Sequence, residues 1–211
     1  MDFFLRCIFR LSPYNGIFLE KNYSMTVIGI DPSLRSTGIC IKKDDLTEYH
    51  LITTHITKKF EDNCPDWLHI HLYDPVKGTK DWTSVEKECI KTADVRSIIV
   101  TFEDIIKRYP VDYAVIEAIA MAASGRIDEL AMINGAMRMA CMNAGIPIYA
   151  VPPTTNKMVF SGNGQADKDT MIACWKALEK KARDLNGKID DLADAYSLSC
   201  FPVKEYITHL D

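Results

Sequence analysis

Two short aliphatic runs limit what this chain can fold into. Val27-Ile28-Gly29-Ile30 and Ala114-Val115-Ile116 are too short for buried helices, are rich in β-branched residues, and each stops on a carboxylate, Asp31 and Glu117. Runs of this kind read as strands buried on both faces. A carboxylate inside such a strand, alone, would cost several kcal/mol or take up a proton. At the strand end it sits on the rim of a sheet, where a folded α/β protein presents its functional groups.

The elements around these runs follow the same logic. Residues 26–30, 38–42, 48–57, 112–117 and 146–151 read as strands. In 94–108 the residues Val95, Ile98, Ile99, Phe102, Ile105 and Ile106 form a helical stripe, with Pro110 beyond it. Residues 126–144 form an Ala- and Met-rich helix stopped by Gly145. Residues 169–186 form an amphipathic helix with Gly187 as its cap, and a last helix runs from about 190 to 200, before Pro202. The stretch 58–92 carries Pro65, Pro75 and Gly78 without a sustained period, and reads as an irregular insertion with a hairpin around 69–73. Three strands, then helix, strand, helix, strand and helices make an α/β layer architecture.

A third acidic place opens the last helix, at Asp190, Asp191 and Asp194. Asp191 and Asp194 are three apart, and Asp190 and Asp194 are four apart, so either pair shares a helix face. Spacing does not choose between Asp190 and Asp191, and one of them is expected to cap the helix. Carboxylates gathered at one rim repel unless a cation holds them, and an all-oxygen set suits a hard divalent ion such as Mg²⁺ or Mn²⁺.

The remaining composition sets bounds. With 25 Lys plus Arg against 29 Asp plus Glu, the formal net charge is −4, which excludes a polycation and leaves room for a local basic groove. The 7 cysteines are widely spaced with no C-x-x-C pair, so they read as small core residues of a protein at home in a reducing cytoplasm. No apolar run reaches ~18 residues, and no membrane span is expected. Residues 1–24 stand apart from the pattern. They read as an ill-ordered extension upstream of a start at Met25 rather than as a signal peptide, because Arg6 and Arg10 interrupt the apolar run.

The segment Ile30-Asp31-Pro32-Ser33-Leu34-Arg35-Ser36-Thr37-Gly38 resembles the first-strand motif of RuvC-type Holliday-junction resolvases. In order, Val115-Ile116-Glu117 resembles that family's second acidic strand and 147–151 its next strand. Lys157 and Lys168 match two lysines near the DNA, and Asp191-Leu192-Ala193-Asp194-Ala195 resembles the closing D-x-x-D-A helix. The run 188–199 is also similar to the equivalent helix of poxvirus resolvases.

The resemblance implies an RNase H-like (RuvC-like) mixed sheet flanked by helices, as a domain over 25–211. It assigns the catalytic and metal-binding carboxylates to Asp31, Glu117, Asp191 and Asp194, favouring Asp191 over Asp190. It implies a structure-selective endonuclease using two Mg²⁺ ions, with Mn²⁺ as substitute. Such an enzyme resolves four-way junctions by paired symmetric nicks that leave 5′-phosphate and 3′-hydroxyl ends. Arg35, Lys157, Lys168 and Arg126 are the candidate DNA contacts, with Arg138 on the same helix as Arg126. By resemblance the helix 126–144 forms a homodimer interface, and a phage or viral source is expected.

Departures from the family's pattern matter as well. An aromatic residue usually stands three positions beyond the catalytic Glu, and here the residue is Ala120. That keeps alive a related nuclease acting on flaps, Y-forks or replication intermediates. A non-catalytic binder of branched DNA is opposed by the presence of all four matched acids. An actin-like ATPase, suggested by Gly29–Gly38 as a phosphate loop, lacks room for a second domain. Trp67, Tyr73 and Trp82 in the insertion are base-stacking candidates for which packing is the plainer role. Ser161-Gly162-Asn163-Gly164-Gln165 reads as a DNA-side loop or as a plain helix-start loop. His69-x-His71 reads as surface histidines, because no matching ligand cluster is evident in the sequence.

Overall fold

The computed structural model describes residues 24–79, 81–119, 127–183, 185 and 190–206. The expectations for Ala120, Arg126, Gly187 and nearly all of 1–24 therefore fall outside the described residues. Strands β1 (Thr26–Asp31), β2 (Ser36–Lys43), β3 (Leu46–Thr53), β4 (Leu68–Leu72), β5 (Tyr113–Glu117) and β6 (Ile148–Val151) form one sheet in the order β4-β3-β2-β1-β5-β6. The β1–β2 and β2–β3 pairs are antiparallel, while β3–β4, β1–β5 and β5–β6 are parallel. The helices are α1 (Lys58–Glu61), α2 (Ser84–Ile106), α3 (Ile127–Asn143), α4 (Pro153–Ser161), α5 (Lys168–Leu178), α6 (Asp190–Ser199) and α7 (Val203–Tyr206).

Strand periodicity sorts the two faces. Ile28, Ile30, Ile39, Ile41, Ile52, Ala114 and Ile116 point to one side and pack with Val95, Ile98, Phe102 and Ile105 of α2 and Ile133, Met137 and Cys141 of α3. The residues between them, including Cys40, Tyr49, Leu51 and Val115, face α5, α6 and α7. On that second side α6 lies directly against the sheet. A Cβ on Gly29 would overlap the Ala195 carbonyl oxygen, and one on Gly38 would overlap the Asp191 carbonyl oxygen. Both glycines are there because a helix backbone passes where any side chain would stand.

The insertion differs most from its sequence reading. Instead of a hairpin around 69–73, it supplies an edge strand, β4, that runs parallel to β3. A parallel neighbour needs a crossover, which residues 54–67 with α1 provide. Helix α2 begins at Ser84, ten residues before the expected start, because Thr83 and Glu86 form a reciprocal capping box. Its first three turns are largely exposed, so no apolar stripe marked them. β3 ends at Thr53 rather than 57. α4 lacked an expectation, although Pro152-Pro153 opens it with proline in the first turn. The helix expected over 169–186 ends at Leu178 and continues after Glu179 as a 3₁₀ turn, Lys180–Ala182.

Candidate active site

The β1–β5 register sets Ile30 beside Ile116, so Asp31 and Glu117 are the next pair, at the C-terminal ends of two parallel strands. Side-chain alternation turns both towards the α6 side. There the helix presents Asp191 and Asp194 one turn apart, with Asp191 over Gly38, the partner of Asp31 across β1–β2. Three stretches of sequence more than seventy residues apart thus meet at one rim. All four side chains are half-buried.

Their electrostatics record the meeting. Burial raises the Asp31 carboxyl well above its ordinary range, and the charges of Glu117, Asp194, Asp191 and Asp190 push it further. Glu117 is pushed up to about 7 by burial and then by Asp194, against the opposing charge of Lys157. Asp194 is raised to about 6, by burial first, with Asp191 and Asp190 adding and Lys157 and Lys168 opposing. Acids crowded in this way favour protonation or a cation. Among the described residues, no three His, Cys, Asp or Glu side chains are gathered into a set that could hold a metal ion. The carboxylates converge on a rim without closing into a coordination sphere.

The structure also distinguishes the two neighbouring aspartates. Asp191 accepts a hydrogen bond from the Ser36 hydroxyl at the start of β2. Asp190 pairs with the Lys168 ammonium on the first residue of α5. One faces the strands and the other turns to the flank, a choice that helical spacing alone left open.

Supporting bonds hold the carriers of these acids. Asn134 on α3 donates to the Glu117 carbonyl at 2.7 Å and fixes the end of β5. On α4, Asn156 donates to the Ser197 hydroxyl at 2.7 Å, and Ser197 donates to the Asp194 carbonyl at 2.7 Å, a buried relay that braces α6. Sequence reasoning missed Asn134, Asn156 and the role of Ser36. An Asn on a buried helix stripe was the available signal, since such a residue needs a partner.

The expected cations are partly gathered. Lys157 on α4 stands close enough to lower both Glu117 and Asp194, and donates to the Ala166 carbonyl at 2.9 Å. Arg35 lies exposed on the β1–β2 loop. Arg138 is half-buried on α3, with its Nε buried and unpaired, away from a solvent-facing role. The stretch 161–165 joins α4 to α5: Gly162 closes α4 in the left-handed conformation and Asp167 caps α5. Trp67 and Tyr73 are packed rather than presented, Trp67 edge-on to Tyr49 at 5.2 Å and Tyr73 bonded to the Leu34 carbonyl.

The histidines of β4 have a partner that sequence reading did not see. His50 of β3 lies between them, stacked on His69 at 4.8 Å and on His71 at 5.3 Å. Its Nδ1 is 3.0 Å from His71 Nε2, and its Nε2 is 3.1 Å from the Tyr109 hydroxyl, which donates to Glu48 at 2.6 Å. Parallel β3–β4 pairing created this cluster. His69 is exposed, as expected of both, while His71 is half-buried beside the buried His50.

Comparison with known proteins places the chain in a family. A family model described as crossover junction endodeoxyribonuclease RuvC matches residues 77–200, a span that includes Glu117, Lys157, Lys168, Asp191 and Asp194 and omits Asp31. The chain is 35% identical over 92 residues to the crossover junction endodeoxyribonuclease RuvC of Anaeromyxobacter sp. (strain K), covering 43% of this chain and 49% of that protein. It therefore spans about half the length of that relative. It is 26% identical over 183 residues to the same-named protein of Rickettsia akari (strain Hartford), covering 85% of this chain and 100% of the relative. The structure of Thermus thermophilus RuvC in complex with Holliday junction substrate superposes with a TM-score of 0.52 at 19% identity, covering 83% of this chain and 90% of that one. That likeness is one of fold, and it takes in most of the chain. With the family model matched over more than half of its length, the chain belongs to the RuvC family.

Proposed function

We propose that this chain is a metal-dependent, structure-selective DNA endonuclease that resolves four-way junctions by paired symmetric nicks, leaving 5′-phosphate and 3′-hydroxyl ends. The observation that carries the reading is the meeting of Asp31, Glu117, Asp191 and Asp194 at one sheet rim, where burial and neighbouring acids raise the carboxyls of Asp31, Glu117 and Asp194. Acids held together at such a cost suit a site built for cations.

The donor set fits divalent ions: it is all carboxylate oxygen, crowded and partly buried. Asp31, Glu117, Asp191 and Asp194 would hold them, Mg²⁺ being the ion proposed. Two such ions would supply a nucleophilic water at neutral pH and would shield the phosphate and the leaving oxygen. This chain's own residues do the rest. Asp31 and Glu117 are fixed by strand ends, so their oxygens keep one separation while DNA enters. Ser36 holds Asp191 in orientation. Lys157 balances part of the charge beside Glu117 and Asp194, and Lys168, Arg35 and Arg126 are proposed to meet phosphates, contacts that position DNA without reading its sequence.

Branched DNA as the substrate is supported by the family and by the Thermus thermophilus protein's complex with a Holliday junction. A homodimer is part of the proposal. Met139 and Met142 are exposed on α3, 54% and 62%, an apolar face that a second copy would cover. A two-fold axis would set two sites against the two symmetric strands of a junction.

The test is cleavage of labelled four-way junctions, Y-forks and linear duplex in Mg²⁺, wild type beside Asp31→Asn. Paired symmetric nicks that the variant loses are expected. Preferential cutting of forks would reassign the substrate to replication intermediates. Binding without cutting in either Mg²⁺ or Mn²⁺ would replace the enzyme by a branched-DNA binder.

A further inference from the structure

The loop between Asp31 and Ser36 has three consecutive carbonyls, and each is tied by a side-chain hydroxyl. Thr37 donates to Ser33 O at 2.6 Å, Tyr73 donates to Leu34 O, and Thr53 donates to Arg35 O at 2.9 Å. The Thr54 amide adds a second bond to Arg35 O at 3.3 Å. Inside the loop, the Ser33 amide donates to Thr37 Oγ1 at 3.1 Å and the Arg35 amide to Ser33 Oγ at 3.3 Å. Leu34 itself packs against the α2–α3 core.

Two of these hydroxyls belong to neighbouring strands β2 and β3. The third comes from the insertion. Tyr73 follows β4 directly, and its amide bonds Thr53 O at 3.1 Å, so the end of the added strand is locked to the end of β3. From there its side chain reaches the middle of the loop, with the ring partly buried against the same core. The loop is short and carries much. It leaves from Asp31, displays the exposed Arg35, and ends at Ser36, whose hydroxyl holds Asp191.

We propose that Tyr73 is a positioning residue: the added edge strand brings its hydroxyl to the Leu34 carbonyl, and this clamp holds the 32–35 loop so that Arg35 meets a phosphate beside the scissile one. The role of Arg35 in this proposal rests on the nuclease reading above. The clamp itself is a property of the free protein. It also gives the inserted strand a task at the site, since β4 is otherwise at the far edge of the sheet from β5.

Tyr73→Phe removes only the hydroxyl and keeps the ring in its packing. In the full chain, amide exchange at Ser33 and Arg35 should speed up, and KM for a labelled four-way junction should rise roughly three- to tenfold with kcat little changed. That factor corresponds to the net contribution of one hydrogen bond. In an Arg35→Ala background, Tyr73→Phe should add no further rise in KM. Unchanged loop exchange would refute the clamp whatever the cleavage shows. An equal KM rise with and without Arg35 would make Tyr73 a structural residue only. A wild type that neither binds nor cuts branched DNA would remove the nuclease reading and Arg35's role with it, while exchange would still report on the loop.

Discussion

Glu117→Gln should make the protein more stable in the absence of divalent cations. The perturbation removes one charge from a rim where burial and Asp194 together lift the Glu117 carboxyl to about 7 from an ordinary 4.5. A carboxylate whose folded pKa is raised binds its proton more tightly in the native state than in the unfolded chain. Its ionisation therefore works against folding, increasingly as pH climbs from 4.5 towards 7. With these values the cost at pH 8 is about 3 kcal/mol, and at pH 5 about 1 kcal/mol. Glutamine keeps the shape and never ionises, so it avoids the cost. For a chain of this size, 3 kcal/mol corresponds to about 6–12 °C in Tm. The assay is thermal or urea unfolding of both proteins in chelator at pH 8 and pH 5. The variant should lead clearly at pH 8 and by much less at pH 5. Saturating Mg²⁺ should narrow the gap at pH 8, because the wild type gains about 2.7 kcal/mol at a hundredfold excess over Kd and the variant gains less. A variant no more stable than wild type in chelator at pH 8 would mean that the four acids do not share a rim as charges. A lead that did not shrink at pH 5 would refute the electrostatic origin.

Gly38→Ala should lower stability by about 1–3 kcal/mol and reduce cleavage disproportionately, because the new Cβ would overlap the Asp191 carbonyl and push α6 off the sheet; equal denaturation midpoints would show that the helix stands further away. His50 should make the fold acid-sensitive. Burial first, then the charges of His69, His71 and Arg108, hold it down at about 3 against an ordinary 6.5, so stability drops as pH falls below 6.5, by about 3 kcal/mol at pH 4.5. His50→Gln should flatten that part of the urea-midpoint profile, and an unchanged slope would assign acid sensitivity to other groups.

The legible part of this protein was the part with local causes. The runs ending at Asp31 and Glu117 are strands because short β-branched segments have few other uses, and their acids lie at strand ends as the cost of burying charge requires. The stripe Val95–Ile106 and the helix opened by Asp190 were likewise readable, since helical period is written in neighbouring residues. Family likeness then led to the expectation that four acids share a site, and their charges do act on Asp31.

What the sequence could not decide were matters of register and approach. Whether β4 turns back as a hairpin or crosses over to run parallel depends on which strand edge is free, and that choice alone stacks His50 between His69 and His71. Which of Asp190 and Asp191 faces the strands depends on how α6 is rotated over Gly29 and Gly38, a contact between segments some 150 residues apart. Tyr73 reaches Leu34, and Ser36 reaches Asp191, for the same reason. Local chemistry determined most of the elements and put acids at two strand ends and one helix start, and the resemblance chose among them. Only packing against distant backbone determined which side chains meet, because contact energy depends on separation in space, about which separation along the chain says little.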